Sequence, residues 1–136
     1  NIFKGYSKNY KSLSYLKNYK FINTGDIGKL KNDGFYYITG RKKRIIKISG
    51  TRISLDEIEN LVKKNFKFKI CCLGNEDKLS IFHTKSKENT DKILNFTSKI
   101  LSINKNFINI YQIYKFPFNE RGKVNYEELR KISKTN

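Results

Sequence analysis

Residues 24–59 constrain the fold of this chain more than any other stretch, because short runs rich in β-branched and aromatic residues alternate there with turn-forming glycines. Residues 27–30 and 35–39 have the composition of two strands, and Asp33-Gly34 lies in the turn between them. Asp-Gly is a strong hairpin signal, since glycine accepts a positive φ without steric cost. The sequence therefore predicts a β-hairpin.

The segment after the hairpin predicts a polar pivot, a further strand and a helix. Residues 40–43 interrupt the strand pattern, which resumes over residues 44–49. Ser54 and Glu57 then fit a capping box, in which the hydroxyl and the carboxylate each bond a free N–H group at a helix start. Apolar residues follow at helical spacing, and the buried face of this helix is predicted to hold Ile58, Leu61, Val62 and Phe66.

The next part of the chain alternates strands with a second helix. Strands are predicted over residues 68–73, 79–84 and 108–116, and Pro117 ends the last of them. A helix over about residues 90–102 is predicted to bury Ile93, Phe96, Ile100 and Leu101.

A last helix and a weak N-terminal pattern complete the prediction. Asn125 is a suitable N-cap, with Glu128 three residues later. Residues 1–20 predict a short helix or a loop, and residues 20–23 a brief strand. From residue 44 onward the predicted order is β-α-β-β-α-β-α, so the fold class is α+β, a small β-sheet packed with helices and preceded by a β-hairpin.

The net charge of +17 in 136 residues comes mostly from lysines spread along the whole length. Proteins that read bases tend to concentrate arginine on one element, so diffuse lysine is a poor signature of nucleic-acid binding. A basic field would still attract an anion such as ATP. A basic nucleic-acid-binding module stays open as an alternative, although the aromatic residues that could stack on bases mostly occupy predicted strand and core positions.

Cysteine usage indicates a reducing compartment, and the hydropathy of the sequence predicts no membrane span. Cys71 and Cys72 are adjacent inside an apolar run, which fits neither a disulfide framework nor a metal site. No apolar run approaches the roughly 20 residues needed to span a bilayer, and no signal peptide is visible. We therefore expect a cytoplasmic protein with no membrane span.

Several common catalytic motifs are absent from the sequence. It contains no glycine-rich phosphate loop, no dinucleotide-binding fingerprint, no zinc motif and no Ser-His-Asp set, and we expect no metal site. The only histidine, His83, lies in a predicted strand without a Cys, His or acidic partner nearby, so a structural role is predicted. The first residue is Asn1 rather than methionine, and we expect the chain to be a fragment of a longer protein.

The sequence nevertheless contains a series of short motifs whose order and spacing together form a recognisable pattern. The motifs are Thr24-Gly25-Asp26, Asp33-Gly34, Gly40-Arg41, Lys47, Gly50, Arg52-Ile53, Glu57-Ile58-Glu59 and Gly122-Lys123. Each is weak alone, but the ordered series with its spacing is specific and extends over nearly the whole chain. With these motifs the chain resembles the C-terminal part of the adenylate-forming enzymes, the superfamily of acyl-CoA synthetases, nonribosomal peptide adenylation domains and firefly luciferase.

The resemblance implies that the chain is divided at a hinge. Residues 1–42 would form the end of the large N-terminal adenylation domain, and residues 43–136 the small mobile C-terminal domain, or lid. Lys43 occupies the hinge position, where the family often has an acidic residue, although lysine also occurs. Rotation about a few backbone torsions there would present one face of the lid for each half-reaction.

The resemblance also implies a two-step reaction. A substrate carboxylate attacks the α-phosphate of ATP, whose Mg²⁺ is bound mainly by the N-terminal domain, and gives an acyl-adenylate and pyrophosphate. The thiol of CoA, or of the phosphopantetheine arm of a carrier protein, then attacks the adenylate. The implied partners are a carboxylic acid, CoA or a carrier protein, and the N-terminal domain of the same protein, with no nucleic acid. The fragment by itself should be nearly inert.

Five further residues match functional positions of the family. Lys123 matches the lysine that enters the active site during adenylation, where an ammonium group can bond the carboxylate and the α-phosphate. Asp26 matches the acid that accepts hydrogen bonds from the ribose hydroxyls, and Arg41 an arginine near the ribose or phosphate. Lys47 and Gly50 match positions used in thioester formation. Each residue also has an ordinary reading as a turn or strand residue, and a non-catalytic docking domain derived from such a ligase stays a further alternative.

Overall fold

The computed structural model describes most of the chain, namely residues 21, 23–75 and 77–135. The helix or loop predicted over residues 1–20 lies outside the described residues. Of the strand predicted over residues 20–23, Phe21 and Asn23 are described and lie outside any strand, whereas the other two residues are not among those described.

The predicted first hairpin is confirmed. β1, Asp26–Leu30, pairs antiparallel with β2, Tyr36–Arg41, with a β-bulge near the start of β1. In the turn, the Asp33 carboxylate accepts hydrogen bonds from the Phe35 N–H group at 3.1 Å and from the Tyr37 hydroxyl at 2.7 Å. The acid of the Asp-Gly pair thus stabilises the turn directly, as aspartate side chains commonly do.

A 3₁₀ helix and a second hairpin follow β2. The 3₁₀ helix, Lys42–Arg44, leads directly into β3, Ile45–Ile48. β3 pairs antiparallel with β4, Thr51–Ser54, through a turn in which Gly50 has a φ of 83°. β4 is absent from the predicted order. Its pattern is too short to recognise, because Ile53 is the one buried apolar residue among its four.

α1, Leu55–Phe66, begins directly after β4 and is capped by the predicted residue. The Ser54 hydroxyl oxygen accepts a hydrogen bond from the Glu57 N–H group at 3.3 Å, which satisfies one free donor at the helix start. The face of α1 that packs on the sheet holds Leu55, Ile58 and Val62 buried, with Phe66 half-buried beside them. Leu61, also predicted on this face, is half-buried but is not part of this core cluster.

The main sheet has three strands in the order β5-β6-β7. β5, Ile70–Gly74, runs antiparallel to β6, Leu79–His83, whereas β7, Ile108–Gln112, runs parallel to β6. A parallel pair needs a crossover connection. Here α2, Glu88–Leu101, and a short 3₁₀ helix, Lys105–Phe107, provide it.

The end of α2 and the end of β7 differ from the prediction. The strand predicted to reach residue 116 stops where its partner β6 stops, at His83, because beyond that point it has no strand to pair with. Ile100, predicted to be buried, is 45% exposed in the last turn of α2. Ser102 then turns the chain with a φ of 52°, and Ile103 packs in the core instead.

Apolar side chains cover both faces of the main sheet. On one face, Ile70 and Cys72 pack with residues of α1 and α2. On the other, Cys71 and Phe82 pack with the last helix, α3, Tyr126–Thr135. A strand that is buried on both faces carries no polar alternation, which accounts for the continuous apolar run around the two cysteines.

Most of the described aromatic residues lie in strands or pack in the core, as expected, but some aromatic side chains lie on the surface. Several of them belong to the first hairpin or precede it, where neither strand contains a fully buried residue. Among the residues that the structure describes, the exposed aromatic side chains are those of Phe21, Phe35, Tyr36, Tyr37, Tyr114 and Phe118.

Candidate functional site

Asp26 and Arg41, the two predicted nucleotide-binding residues, face each other across the first hairpin. Arg41 Nε lies 3.1 Å from Asp26 Oδ1, so the two side chains form an ion pair. The Arg41 side chain is 71% exposed and the Asp26 side chain 28%. Because the ion pair engages one carboxylate oxygen, the other keeps its capacity to accept hydrogen bonds.

Two side-chain turns hold Asp26 at the start of β1. The Asn23 carboxamide oxygen accepts a hydrogen bond from the Gly25 N–H group at 3.0 Å. The Thr24 hydroxyl oxygen accepts one from the Asp26 N–H group at 3.2 Å. The Thr-Gly-Asp sequence thus fixes the backbone from which the carboxylate projects.

Lys43, the predicted hinge residue, is the middle residue of the 3₁₀ helix Lys42–Arg44, and its side chain is exposed. The residues that flank this helix are both extended. The Lys42 N–H group donates to the Gly25 carbonyl oxygen at 2.8 Å, which fastens the start of the helix to the first hairpin. A single helical turn between extended residues is a place where a few torsions can redirect the chain.

Lys47 and Gly50, the predicted thioester-step residues, lie in the second hairpin. Lys47 is exposed on β3 and pairs in register with Arg52 of β4, so two cationic side chains lie beside each other on one face. Gly50 has open space where a side chain would begin, with no atom within 4 Å. Its positive φ, rather than close packing, therefore favours glycine.

Lys123, the predicted catalytic residue, lies in a tight turn that Asn119 organises. The Asn119 carboxamide oxygen accepts hydrogen bonds from the Arg121 N–H group at 3.0 Å and from the Lys123 N–H group at 2.9 Å. The Asn119 N–H group donates to the Lys123 carbonyl oxygen at 2.8 Å. The backbone of Lys123 is thus held on both sides, while its side chain is exposed.

The predicted site residues are not all brought together. Asp26 and Arg41 form their ion pair. Within the described ranges, no hydrogen bond or ion pair joins Lys123 to either of them, and its backbone bonds go to Asn119. In this arrangement the predicted nucleotide-binding residues and the predicted catalytic lysine are therefore not joined.

An unpredicted cluster surrounds Arg44, at the C-terminal end of the 3₁₀ helix. Its guanidinium group donates from Nε to Asp56 Oδ1 and from Nη2 to Glu59 Oε1, both at 2.5 Å. The Tyr126 ring faces the same group, with 4.9 Å from Arg44 Cζ to the ring centroid. The Arg44 side chain is 18% exposed, so its charge interacts in a sheltered setting. We call these four residues the Arg44 cluster.

Burial and neighbouring charges shift the pKa values of Glu59, Tyr126 and Arg44. For Glu59, the largest effect is that of burial. It raises the pKa of the Glu59 carboxyl, although the Cys72 N–H group, 2.7 Å from Oε1, and Arg44 both favour the carboxylate. Burial, aided by the negative charge of Glu59, raises the pKa of the Tyr126 hydroxyl to about 12. Burial alone would lower the pKa of Arg44, but Glu59 and the other neighbours raise it overall. Arg44 therefore stays a cation.

The side chains of His83, Cys71 and Cys72 are buried in the fold. In the buried His83 ring, Nε2 lies 3.1 Å from Thr90 Oγ1 and Nδ1 accepts a hydrogen bond from the Lys85 N–H group at 3.3 Å, and burial lowers the pKa of the ring. Cys71 and Cys72 are buried and free. Among the described residues, no three His, Cys, Asp or Glu side chains are grouped to hold a metal ion. None of the described helices is long and apolar enough to cross a membrane.

No family model matches the sequence, but individual proteins do. A 2-succinylbenzoate-CoA ligase of Lactococcus lactis is 33% identical over 112 residues, which cover 79% of this chain and 25% of the ligase. The nonribosomal peptide synthetase sirP of Leptosphaeria maculans is 32% identical over 114 residues, which cover 80% of this chain and 5% of that protein. A probable acyl-activating enzyme of Arabidopsis thaliana is 42% identical over 65 residues, covering 48% of this chain and 12% of the enzyme. The chain thus spans a quarter or less of these relatives.

Solved structures share the fold. The o-succinylbenzoate CoA synthetase of Bacillus subtilis, in complex with an acyl-adenylate intermediate, matches with a TM-score of 0.61 at 21% identity, over 80% of this chain and 24% of that one. An amide bond synthetase of Marinactinospora thermotolerans matches with a TM-score of 0.65 at 14% identity, over 94% of this chain and 28% of that one. By sequence and fold, the chain belongs to the adenylate-forming enzyme superfamily of acyl-CoA ligases and nonribosomal peptide adenylation domains, and it covers a small part of such proteins.

Proposed function

We propose that the chain is the C-terminal part of an ATP-dependent ligase that activates a carboxylic acid as an acyl-adenylate and then passes the acyl group to a thiol. The observation that carries this proposal is the presentation of Lys123, an exposed cation whose backbone Asn119 holds on both sides. Donors that are preorganised for developing negative charge lower reaction barriers. The proposal includes a cytoplasmic location, which suits two free, buried thiols.

The proposed domain boundary lies at the 3₁₀ helix. Residues 1–42 would end the large adenylating domain, and residues 43–136 would form a mobile lid with Lys43 as its hinge. Support comes from the first hairpin, whose strands contain no fully buried residue and expose apolar side chains such as Tyr36 and Ile38. Exposed apolar patches commonly mark a surface that another unit covers. In this proposal the rest of the adenylating domain covers it.

Asp26 and Arg41 are proposed to bind the nucleotide. The Asp26 carboxylate has one oxygen on Arg41 and is partly accessible, so it fits as an acceptor for ribose hydroxyls. Exposed ion pairs contribute only about 0–1 kcal/mol, so Arg41 can exchange this partner for the ribose or a phosphate at little cost. We also propose that the Mg²⁺ of ATP is bound mainly by the N-terminal domain, as the resemblance to the family implies.

Lys123 is proposed to act in the first half-reaction. Its ammonium group would bond the substrate carboxylate and the α-phosphate of ATP while the carboxylate attacks and pyrophosphate leaves. No described hydrogen bond or ion pair joins Lys123 to Asp26. The lid would therefore rotate about Lys43 to bring the lysine to the nucleotide that Asp26 holds.

Lys47 and Gly50 are proposed to act in the second half-reaction. The turn at Gly50 is open, with no atom within 4 Å of a would-be side chain, so a narrow pantetheine arm can pass it. Lys47 is an exposed cation close to this turn and can attract an anionic acceptor. The acceptor would be CoA or the phosphopantetheine of a carrier protein.

Substitution of Lys123 tests the proposal. In the ligase that carries this chain, Lys123→Ala should lower carboxylate-dependent exchange of pyrophosphate into ATP by about 100- to 1,000-fold, because one preorganised donor contributes about 3–4 kcal/mol. Conversion of a supplied acyl-adenylate to thioester should persist, because the lysine is not used in that step. Labelled pyrophosphate measures the first reaction, and consumption of the thiol measures the second.

Arg121→Ala is the matched control, since Arg121 is an exposed cation of the same turn. It should leave pyrophosphate exchange nearly unchanged, which would show that position 123 matters rather than the charge of the turn. Normal exchange in the Lys123→Ala variant would overturn the assignment.

A basic nucleic-acid-binding module is the second candidate, favoured by the net charge of +17 and by exposed rings next to lysines. Lys31 Nζ, for example, lies 3.8 Å from the centroid of the Tyr37 ring. Binding to single-stranded RNA would weaken with salt, with a log-log slope of about −0.7 per phosphate contacted. A fluorescence titration that shows no saturable binding at low salt would exclude this candidate.

A further inference from the structure

The Asp56 carboxylate accepts hydrogen bonds from residues that precede and follow Lys43 in the sequence. Its Oδ2 accepts a hydrogen bond from the Arg41 N–H group at 3.2 Å, and its Oδ1 accepts one from Arg44 Nε at 2.5 Å. We propose that Asp56 is a positioning residue, a latch that holds the first hairpin in this orientation against the small domain, and that Arg44 anchors the small-domain side of the pivot. The proposal rests on the proposed function, which supplies the rotation that the latch opposes.

The first step is that Arg44 is part of the small domain. Its guanidinium group contacts two carboxylates of α1, those of Asp56 and Glu59. Glu59 also accepts a hydrogen bond from the Cys72 N–H group at 2.7 Å, so Arg44 is linked through Glu59 to β5. The Tyr126 ring adds a contact to α3. Two sheltered, charge-assisted bonds to α1, together with the ring contact to α3, keep Arg44 with the small domain during any rotation.

The second step is that the hairpin side is anchored as far as Lys42. The Lys42 N–H group donates to the Gly25 carbonyl oxygen at 2.8 Å, directly beyond the last strand pair of the first hairpin, Asp26 and Arg41. Between this anchor and Arg44 lies Lys43, with the torsions on either side of it. Rotation is therefore confined to the short segment that Lys43 occupies, and Asp56 spans that segment from the small domain.

The third step is that the fold makes room for the latch. A Cβ atom at Gly40 would lie 3.3 Å from Asp56 Oδ2, which is closer than most Cβ atoms come to a neighbour, and in ordinary contact with Ser54 Oγ at 3.5 Å. Glycine at this position lets the start of α1 approach β2. The bond from Arg41 to Asp56 must break when the hairpin turns away, whereas the bond from Arg44 to Asp56 moves with the small domain.

Local exchange measurements on the chain test the latch. Asp56→Asn keeps the shape of the side chain but removes the charge that strengthens both hydrogen bonds. We expect amide exchange over residues 41–44, and tryptic cleavage after those four basic residues, to rise about 3- to 10-fold, because a bond to a charged group contributes roughly a factor of ten. Exchange over β5 and β6 should not change.

Glu57→Gln is the matched control, because Asp56 and Glu57 are neighbouring acids in the first turn of α1 and make equal contributions to its charge. This control should leave exchange over residues 41–44 at the rate of the original chain. Equal rates in the two variants, or a rise in the Asp56 variant that extends through α1 and β5, would overturn the proposal.

Gly40→Ala provides a second route to the same state. The added methyl group crowds Asp56 Oδ2 without changing any charge, so it should speed exchange over residues 41–44 even if Asp56→Asn does not fold. Unchanged exchange in Gly40→Ala would contradict the latch. These outcomes do not depend on enzymatic activity, so they are separate from the failure of the Lys123 test.

The complete ligase gives a functional reading of the same variants. Release of the latch should change the ratio between pyrophosphate exchange and thioester formation, because it changes the populations of the two lid orientations. A merely structural defect would lower both rates together, and that outcome would count against a positioning role.

Discussion

Arg44 connects more parts of the structure than an ordinary surface arginine does. It is a sheltered guanidinium with two carboxylates and an aromatic ring around it. Removing one partner of such a group leaves the others partly buried and unpaired, and the penalty of that state can exceed the net contribution of the bonds. We therefore expect the loss of one member of the Arg44 cluster to destabilise the fold mainly because the remaining charged groups are left without partners.

Arg44→Met should destabilise the fold by about 1–3 kcal/mol, because it keeps the apolar stem but leaves Asp56 and Glu59 without their cation. Urea unfolding followed by circular dichroism measures the free energy of unfolding. Arg52→Met, at an exposed position of β4, is the control and should change it by less than about 0.5 kcal/mol. An equal, small effect of both substitutions would mean that the Arg44 cluster contributes little to stability.

At the scale of elements, α1 is the part of the structure where the pivot, the sheet and the second hairpin meet. β4 ends at Ser54 and α1 starts at the next residue, so one residue is both the last of a strand and the N-cap of a helix. Asp56 and Glu59 then present their carboxylates to Arg44 from the first two turns of α1. The position of α1 therefore determines where the Arg44 cluster can form.

Ser54→Ala should lower the free energy of unfolding by about 1 kcal/mol, because the Glu57 N–H group loses its hydrogen-bond acceptor. Ser54→Asn should restore most of this loss, since asparagine is also a good N-cap residue. Thermal unfolding of the three proteins under one condition gives the comparison. If Ser54→Ala is neutral, water replaces the capping hydroxyl without cost.

At the scale of the whole molecule, the main sheet is covered on both faces while the first hairpin is largely bare. The covered sheet shelters protonated groups that ionise only at high pH. Burial raises the pKa of the Cys71 thiol from its ordinary 9.0 to about 11, and that of the Tyr126 hydroxyl from 10.0 to about 12. The folded protein thus holds these protons more tightly than the unfolded chain does.

The stability of the protein should consequently fall as pH rises from about 9 to about 12. Stability decreases with pH wherever the folded state binds more protons than the unfolded state, and both groups meet that condition in this window. Unfolding free energies measured across the window should fall less steeply between pH 10 and 12 in Tyr126→Phe, which keeps the ring but has no ionisable group. Identical slopes in the two proteins would contradict the assignment to Tyr126.

Local chemistry explains what could be predicted from the sequence. Asp33-Gly34 marks a turn and Ser54 a helix start because the groups that they satisfy lie within three residues of them. The α+β class, the first hairpin and the order of the longer elements follow from such local signals and from hydrophobic periodicity. β4 was not predicted, because four residues with one buried side chain give too little of a hydrophobic pattern.

Long-range packing determined which charged residues meet, and local sequence signals could not predict this. Arg44 meets Asp56 and Glu59 from 12 and 15 residues away, and their spacing on α1 gives no sign of which cation approaches them. The pairing of Asp26 with Arg41 likewise depends on the register of two strands, although motif order pointed to both residues separately. By itself the sequence determined the longer elements, since those depend on neighbours along the chain, and its ordered motifs pointed to the superfamily and to the candidate residues. The tertiary structure alone decided which charges meet across the pivot, because burial and contact are properties of the folded whole.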